Sequence, residues 1–286
     1  MSLSVTTLRP TIGARIEGVD VSGALAAETV EELRSVLPRF GVLVLRRQAM
    51  DDARLVEFGR AFGDLELLPE PNKRESGLPQ IFDLTNVKSN GGLVEFDDEQ
   101  SVFIRGSQRW HTDSSFRAIP CLASMLLAVE VPEGSSTQFA DMYAAFEALP
   151  EARQRDLTGL RVVHSYEYSR ANNPGKLLPM DRAERAKLPP VEHPLVRTHP
   201  DGRRSLYLGA HASHIVGRPP ADGRALLDEL LVHATDSRFV YEHQWRVGDL
   251  VIWDNRCTLH RLRPYDITRV RRVMRRITVA GIDPPV

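Results

Sequence analysis

The feature that most constrains this chain is a pair of blocks far apart in sequence. They are Trp110-His111-Thr112-Asp113 and Trp253-Asp254-Asn255-Arg256-Cys257-Thr258-Leu259-His260. Side chains of an extended segment alternate, so His111 and Asp113 fall on one face. His260 can add a second imidazole to that pair. Two imidazoles and one carboxylate on one side of a metal leave coordination positions open, the ligand set of non-heme Fe(II) oxygen chemistry. Catalytic zinc uses the same donors and stays open as an alternative. An isolated His-X-Asp triplet is usually a solvated strand edge. Here Trp110 and Phe116 bracket it, and burying Asp113 without a metal or hydrogen-bond partner would be costly. His260 follows the strand candidate Leu250 to Trp253 across a short polar turn, a frequent place for functional residues.

A single domain spanning 1–286 is long enough to bury a substantial core. Its formal net charge of −1 gives no global basic field for nucleic acid. The longest apolar run, Leu122 to Val131, is broken by Ser124 and Glu130 and is too short to cross a bilayer. The first residues lack the pattern of a signal peptide. Two cysteines, Cys121 and Cys257, are too few for a disulfide framework. These features set a cytoplasmic location as the expectation, with no membrane or nucleic-acid partner.

Helical spacing of Val30, Leu33, Leu37 and Phe40 ends at Gly41, before the apolar run Val42-Leu43-Val44-Leu45. Asp51 and Asp52 can cap a helix carrying Leu55, Phe58 and Phe62, with Gly63 at its end. From Pro69 to Arg109 the pattern weakens, apart from a strand candidate at Ile81 to Val87. This segment reads either as an active-site lid or as a surface loop. Further strands are expected at 121–131, 160–166, 191–198, 205–208, 239–245, 250–253 and 270–279, with helices after Asp141, at Pro150 and around 225–234. Many strands and few helices favour a mainly β domain with flanking helices, built as a double-sheet roll.

The last strand adds a second constraint. Arg272, Met274 and Arg276 share one face, and Arg271, Val273, Arg275 and Ile277 the other. Guanidinium groups turned into a core require anions, and they suit bidentate carboxylate recognition. The plain alternative is a basic edge strand whose charges discourage edge pairing. Closeness to His260 favours the inward reading.

Taken together, these motifs resemble the taurine / 2,4-dichlorophenoxyacetate dioxygenase family of Fe(II)- and 2-oxoglutarate-dependent oxygenases. The resemblance rests on Phe62-Gly63-Asp64-Leu65-Glu66, the Trp110 to Phe116 block, Phe139-Ala140-Asp141-Met142, the Trp253 to His260 block and the arginine-rich strand. Pro189 to Thr198, Gly209 to His214 and Gly248 to Arg256 look most like the phenoxyacetate-degrading branch.

The resemblance implies a double-stranded β-helix (jelly-roll, cupin-like) fold with His111, Asp113 and His260 as iron ligands. It places Arg272 and Thr137 on the cosubstrate 2-oxoglutarate, Arg276 on the substrate anion, and Asn86 and Ser114 beside it. Arg271 is the alternative to Arg272, because Arg272 stands one residue further beyond His260 than in relatives. Gly134-Ser135-Ser136-Thr137 likewise departs from the family's Gly-Gly-X-Thr. His199, His211 and His214 read as supporting hydrogen-bond groups rather than ligands.

The activity implied is O2-dependent hydroxylation of the carbon next to the ether oxygen of an aryloxyalkanoate carboxylate. A phenol and glyoxylate are released, with succinate and CO2 from the cosubstrate. A carboxylate at position 113 argues against halogenation. Alternatives are a taurine or other sulfonate dioxygenase and a non-catalytic metal- or oxo-acid-binding sensor. Relatives imply a homo-oligomer.

Overall fold

In the computed structural model, residues 3–67, 77–175, 177 and 179–286 are described. The strands are β1 (Ser4–Thr7), β2 (Ala14–Glu17), β3 (Val42–Leu45), β4 (Phe82–Thr85), β5 (Ala123–Glu130), β6 (Ser136–Asp141), β7 (Arg161–His164) and β8 (Val191–Pro194). They continue as β9 (Val196–Thr198), β10 (Arg204–Leu206), β11 (Ala212–Ile215), β12 (Val240–Gln244), β13 (Leu250–Asp254), β14 (Thr258–Leu262) and β15 (Val273–Val279). The helices are α1 (Ala27–Phe40), α2 (Asp52–Arg60), α3 (Glu99–Gly106), α4 (Met142–Glu147), α5 (Glu151–Leu157), α6 (Tyr166–Ala171), α7 (Arg182–Lys187) and α8 (Pro220–Ala234).

A seven-stranded sheet runs β1-β2-β3-β13-β5-β15-β4, antiparallel except between β2 and β3. Facing its middle is the three-stranded sheet β12-β6-β14. Val42, Val44, Leu126, Val251, Trp253 and Met274 from the large sheet pack against Phe139 and Tyr241 from the small one. Alternate residues of the same strands, such as Leu43, Leu45, Met125, Ile252 and Ile277, turn outward beneath α1 and α2. Coverage on both faces is why Val42–Leu45 reads as an unbroken apolar run, all four residues being buried. Burial of each large apolar side chain in these layers contributes roughly 1.5–3 kcal/mol. The fold is thus mainly β with flanking helices around a jelly-roll core.

Local signals explain most element ends. Gly41, at φ 68°, closes α1 with its N–H on the Leu37 carbonyl. Asp51 caps α2 by accepting from the Arg54 N–H, and Asp141 caps α4 by accepting from Tyr143 and Ala144. Gly63 is not the cap of α2, which closes at Ala61. The expected strand at 191–198 is interrupted at Leu195 and forms β8 and β9, which belong to different sheets.

The segment Pro69 to Arg109 is more ordered than its composition suggests. Residues 69–76 lie outside the described part. Beyond them come the edge strand β4, within the strand candidate Ile81 to Val87, and helix α3, which alone of the two the sequence reading lacked. Among the described residues, no helix is long and apolar enough to cross a membrane.

Candidate active site

His260 lies on β14, paired to β6 with His260 opposite Phe139. His111 meets it from the other block through an isolated antiparallel bridge. The two backbones exchange hydrogen bonds, His111 N–H to His260 O at 3.0 Å and His260 N–H to His111 O at 2.7 Å. The expected strand through Asp113 is absent: the chain turns after Thr112, and Ser114 takes φ 56°. Even so, ligand atoms of His111, Asp113 and His260 all lie within 4.8 Å of one another.

Each of the three is set by its surroundings. His111 Nδ1 is 2.8 Å from the Arg109 carbonyl oxygen, which makes it the protonated nitrogen and leaves Nε2 as the free donor. His260 is held by rings: Trp253 at 4.8 Å, His111 at 4.1 Å and Phe139 at 6.2 Å between centroids. Burial pushes His111 below its usual range and His260 well below it, so both imidazoles are neutral. For Asp113, burial acts to raise the carboxyl, but Arg276, His260, His111 and the Ser124 hydroxyl outweigh it and hold it well below the usual carboxylate range. Neutral imidazoles beside an ionised carboxylate are the protonation states that a divalent metal needs. The donor set fits Fe(II) with positions left open.

Behind Asp113 stands a relay that sequence reasoning missed. Ser124 Oγ donates to Asp113 Oδ2 at 2.7 Å, and Asn255 Nδ2 donates to Ser124 Oγ at 2.9 Å. Asn255 Oδ1 accepts from the Trp253 indole and from the Asp113 backbone N–H. Asn255 belongs to the Trp253 to His260 block, so its motif was visible but its role was not.

The strand face predicted for the arginines is the one observed. Arg272 is 5% exposed, and Met274 and Arg276 follow on the side of the inner core. Arg275, on the other face, pairs with Asp52 and Asp83. Arg271, the alternative to Arg272, is exposed and pairs with Glu130 at 2.9 Å. Arg276 Nη1 donates to Asp113 Oδ1 at 2.8 Å, and its guanidinium lies 4.9 Å from the Phe82 ring centroid. Arg272 has no carboxylate partner among the described residues. Its Nε donates to Ser135 Oγ at 3.3 Å, the guanidinium lies 5.9 Å from the Tyr265 ring centroid, and burial pushes its pKa down to about 10.

Thr137, on β6, is buried and accepts a hydrogen bond from the Trp245 indole at 2.9 Å. Ser114 donates to Glu66 Oε2 at 2.9 Å. Glu66, raised by burial, also faces Arg117, Asp113 and Arg276. It lay within the Phe62 to Glu66 motif without being singled out.

Asn86 is engaged inside the protein. It is fully buried, and its side chain is consumed by backbone: Nδ2 donates to the Ile267 and Val270 carbonyls, and Oδ1 accepts from the Arg272 N–H. It therefore holds the loop that delivers Arg272 and does not offer a free group to substrate. Of the three supporting histidines, only His211 reaches the site. Its ring is 4.9 Å from Phe116, and burial followed by neighbouring His111 pushes it down to about 3. His199 bonds Ser205 beside Tyr143, and His214 is exposed next to Ser213.

Comparison with known proteins agrees with this architecture along the whole chain. Residues 4–278 match the model of the taurine catabolism dioxygenase TauD, TfdA family. An alpha-ketoglutarate-dependent 2,4-dichlorophenoxyacetate dioxygenase of Cupriavidus pinatubonensis is 44% identical, covering 97% of this chain and 98% of that protein. The enzyme of the same description from Burkholderia sp. (strain RASC) is 42% identical, covering 98% and 95%. The crystal structure of AAD-2 with Mn(II) and N-oxalylglycine superimposes with a TM-score of 0.90 at 37% identity, covering 100% of this chain and 99% of that one. With the family model spanning nearly every residue and the ligand cluster in place, the chain belongs to the TauD, TfdA family and is an Fe(II)- and 2-oxoglutarate-dependent dioxygenase.

Proposed function

We propose that the chain cleaves aryloxyalkanoates by hydroxylating the carbon next to the ether oxygen, with His111, Asp113 and His260 holding the iron. What carries the reading is one juxtaposition. A three-ligand cluster is bonded through Asp113 to Arg276, and four residues before Arg276 stands Arg272, a buried cation with no carboxylate among the described residues. Burying an uncompensated guanidinium is unfavourable, so the site is built for an anion that arrives from outside. The two 2,4-dichlorophenoxyacetate dioxygenases, at 42% and 44% identity, support the substrate class.

With iron, 2-oxoglutarate and O2 bound, the chemistry supplied is oxidative decarboxylation of the oxo acid to succinate and CO2, coupled to hydroxylation of a substrate C–H. The residues bind, orient and exclude water. His111, Asp113 and His260 donate lone pairs from one side and leave the other side open. Arg272 neutralises the far carboxylate of 2-oxoglutarate, and Thr137 hydrogen-bonds it. Arg276, already at the rim beside Asp113, takes the substrate carboxylate, with Ser114 and Glu66 bordering that position. Phe116, Tyr166 and His211 form a wall of rings suited to an aromatic substrate. Hydroxylation next to an ether oxygen gives a hemiacetal, which collapses to a phenol and glyoxylate without any hydrolytic residue.

Anaerobic loading with Fe(II) and 2-oxoglutarate, followed by oxygen and a panel of aryloxyacetates, aryloxypropionates and taurine, tests the proposal. Phenol matched to succinate is the expected result. Sulfite from taurine in place of phenol would move the substrate to the sulfonates and keep the same roles for Arg272 and Arg276. Assembly as a homo-oligomer in the cytoplasm belongs to the same proposal, and sedimentation of the purified protein checks its assembly part.

A further inference from the structure

The indole of Trp245 is not used by the reaction as described, yet it reaches into the site where 2-oxoglutarate is expected. An indole N–H can only donate. At 2.9 Å from Thr137 Oγ1, it fixes that oxygen as acceptor, and the threonine's own proton must go elsewhere. Among the described residues, Thr137 Oγ1 donates to nothing. The backbone N–H of Trp245 makes a second tie, to the Ser135 carbonyl at 2.9 Å, and Ser135 Oγ is the group on which Arg272 Nε rests. One residue therefore holds both groups assigned to the cosubstrate.

Trp245 is itself wedged from behind. Its ring stands edge-on to His243, with centroids 4.5 Å apart at 84°. His243 is fully buried, with Nε2 3.2 Å from Asp249 Oδ2 and Nδ1 3.0 Å from the Tyr241 hydroxyl. Asp249 is in turn paired with Arg46 and accepts from the Arg246 N–H. An ionised Asp249 only accepts, so His243 Nε2–H donates to it and Nδ1 accepts from the tyrosine. Such a saturated buried train leaves the indole little freedom to turn.

We propose that Trp245 is the positioning residue of the cosubstrate site, setting the polarity of Thr137 so that its hydroxyl proton is presented to a carboxylate oxygen of 2-oxoglutarate. This rests on the reading of Thr137 and Arg272 as cosubstrate contacts. Without the indole N–H, the Thr137 hydroxyl can rotate and satisfy itself locally, so the site is less well prepared for an anion.

The test is a double-mutant cycle read by calorimetric titration of 2-oxoglutarate into Mn(II)-loaded protein without oxygen, together with KM and kcat. Trp245→Phe keeps the ring against His243 and removes only the N–H. It should weaken 2-oxoglutarate binding about fivefold to tenfold, within the range for loss of one neutral hydrogen bond. The KM for aryloxyacetate should stay unchanged. Thr137→Ala should weaken 2-oxoglutarate by a similar factor, and adding Trp245→Phe to it should do nothing more. Thr137→Ser should retain wild-type affinity.

Wild-type affinity in Trp245→Phe with weakened Thr137→Ala would overturn the inference and leave the threonine assignment standing. Fully additive effects would overturn it too. Wild-type affinity in Thr137→Ala would remove the threonine assignment itself and the inference with it. Should Trp245→Phe melt early, replacing Trp245 by benzothienylalanine exchanges the N–H for sulfur at nearly constant volume and gives the same discrimination.

Discussion

Arg272, just before β15, and Arg276, within it, turn to one side of the chain, yet their circumstances are opposite. Arg276 is at the rim, spread over Phe82 and bonded to the carboxylate of Asp113. Arg272 is buried, with a single serine hydroxyl on its Nε and no acidic partner among the described residues. A charge that keeps an internal partner can exchange it when a ligand comes, at small net cost. A charge with none stores an unfavourable desolvation that only a ligand relieves. The difference suits the two visitors of the proposed function: a tightly held dianion at Arg272, and a more loosely held, exchangeable carboxylate at Arg276.

The sharpest way to break this comparison is to remove each arginine in turn. Arg272→Ala should raise the KM for 2-oxoglutarate about a hundredfold or more, as expected for a buried charge contact. The aryloxyacetate KM should change little. Arg276→Ala should do the reverse in steady-state assays. Loss of 2-oxoglutarate affinity alone in both variants would merge the two roles into one.

Asn86→Ala comes next. It deletes hydrogen bonds to Ile267, Val270 and Arg272 inside the protein. Stability should fall by about 2–3 kcal/mol in denaturant titrations, and 2-oxoglutarate binding should weaken while substrate affinity is spared. If both ligands weakened equally, the loop would serve the whole site and not Arg272 alone.

A gain of function-free stability should follow Arg272→Met. Replacing the uncompensated cation by an apolar chain should stabilise the ligand-free protein by about 1–2 kcal/mol. The rise in Tm that 2-oxoglutarate gives the metal-loaded wild type should vanish. A destabilised Arg272→Met would mean that Ser135 and Tyr265 already compensate the charge.

The smallest effect belongs to Glu66, on the Arg276 side. Its carboxyl is raised by burial, which outweighs Arg117 and Ser114. A raised carboxyl means that the folded state binds the proton more tightly than the unfolded chain. Stability therefore increases as pH falls through the raised value toward the ordinary one of 4.5. Wild type minus Glu66→Gln, followed by thermal melts across mildly acidic pH, should drift in that direction by less than about 1 kcal/mol. A drift of opposite sign would show that Arg276 and Arg117 dominate Glu66.

Much of the site was legible because its chemistry is concentrated in short blocks. His111, Asp113 and His260 could be read from residue type alone, although the local conformation assumed for them was wrong at Asp113, which sits in a turn. Parity along the arginine strand survived because β15 stays in step with β4 from Val273 through Arg276, despite a register shift against β5 between Val273 and Met274, and because the inner Met274 is fully buried. What escaped was set by partners distant in sequence. Ser124 and Asn255 meet across 131 positions, and nothing local to either foretells the bond. The backbone partners of Asn86 escaped for the same reason, since they lie beyond Asp266. The short polar turn before His260 stands at 255–257; what was missed is strand β14 just beyond it, held by pairing with the distant β6. Helix α3 was hidden by a short amphipathic stretch within polar surroundings.

The reciprocal backbone bond between His111 and His260 has a consequence for biogenesis. The two imidazoles face one another only after the early and late parts of the chain have zipped together. An unfolded or nascent chain offers His111 and Asp113 at best, a weak bidentate grip. Iron is therefore recruited at the end of folding rather than acting as its template, and chelation should strip activity while leaving the chain folded and ready to be reloaded.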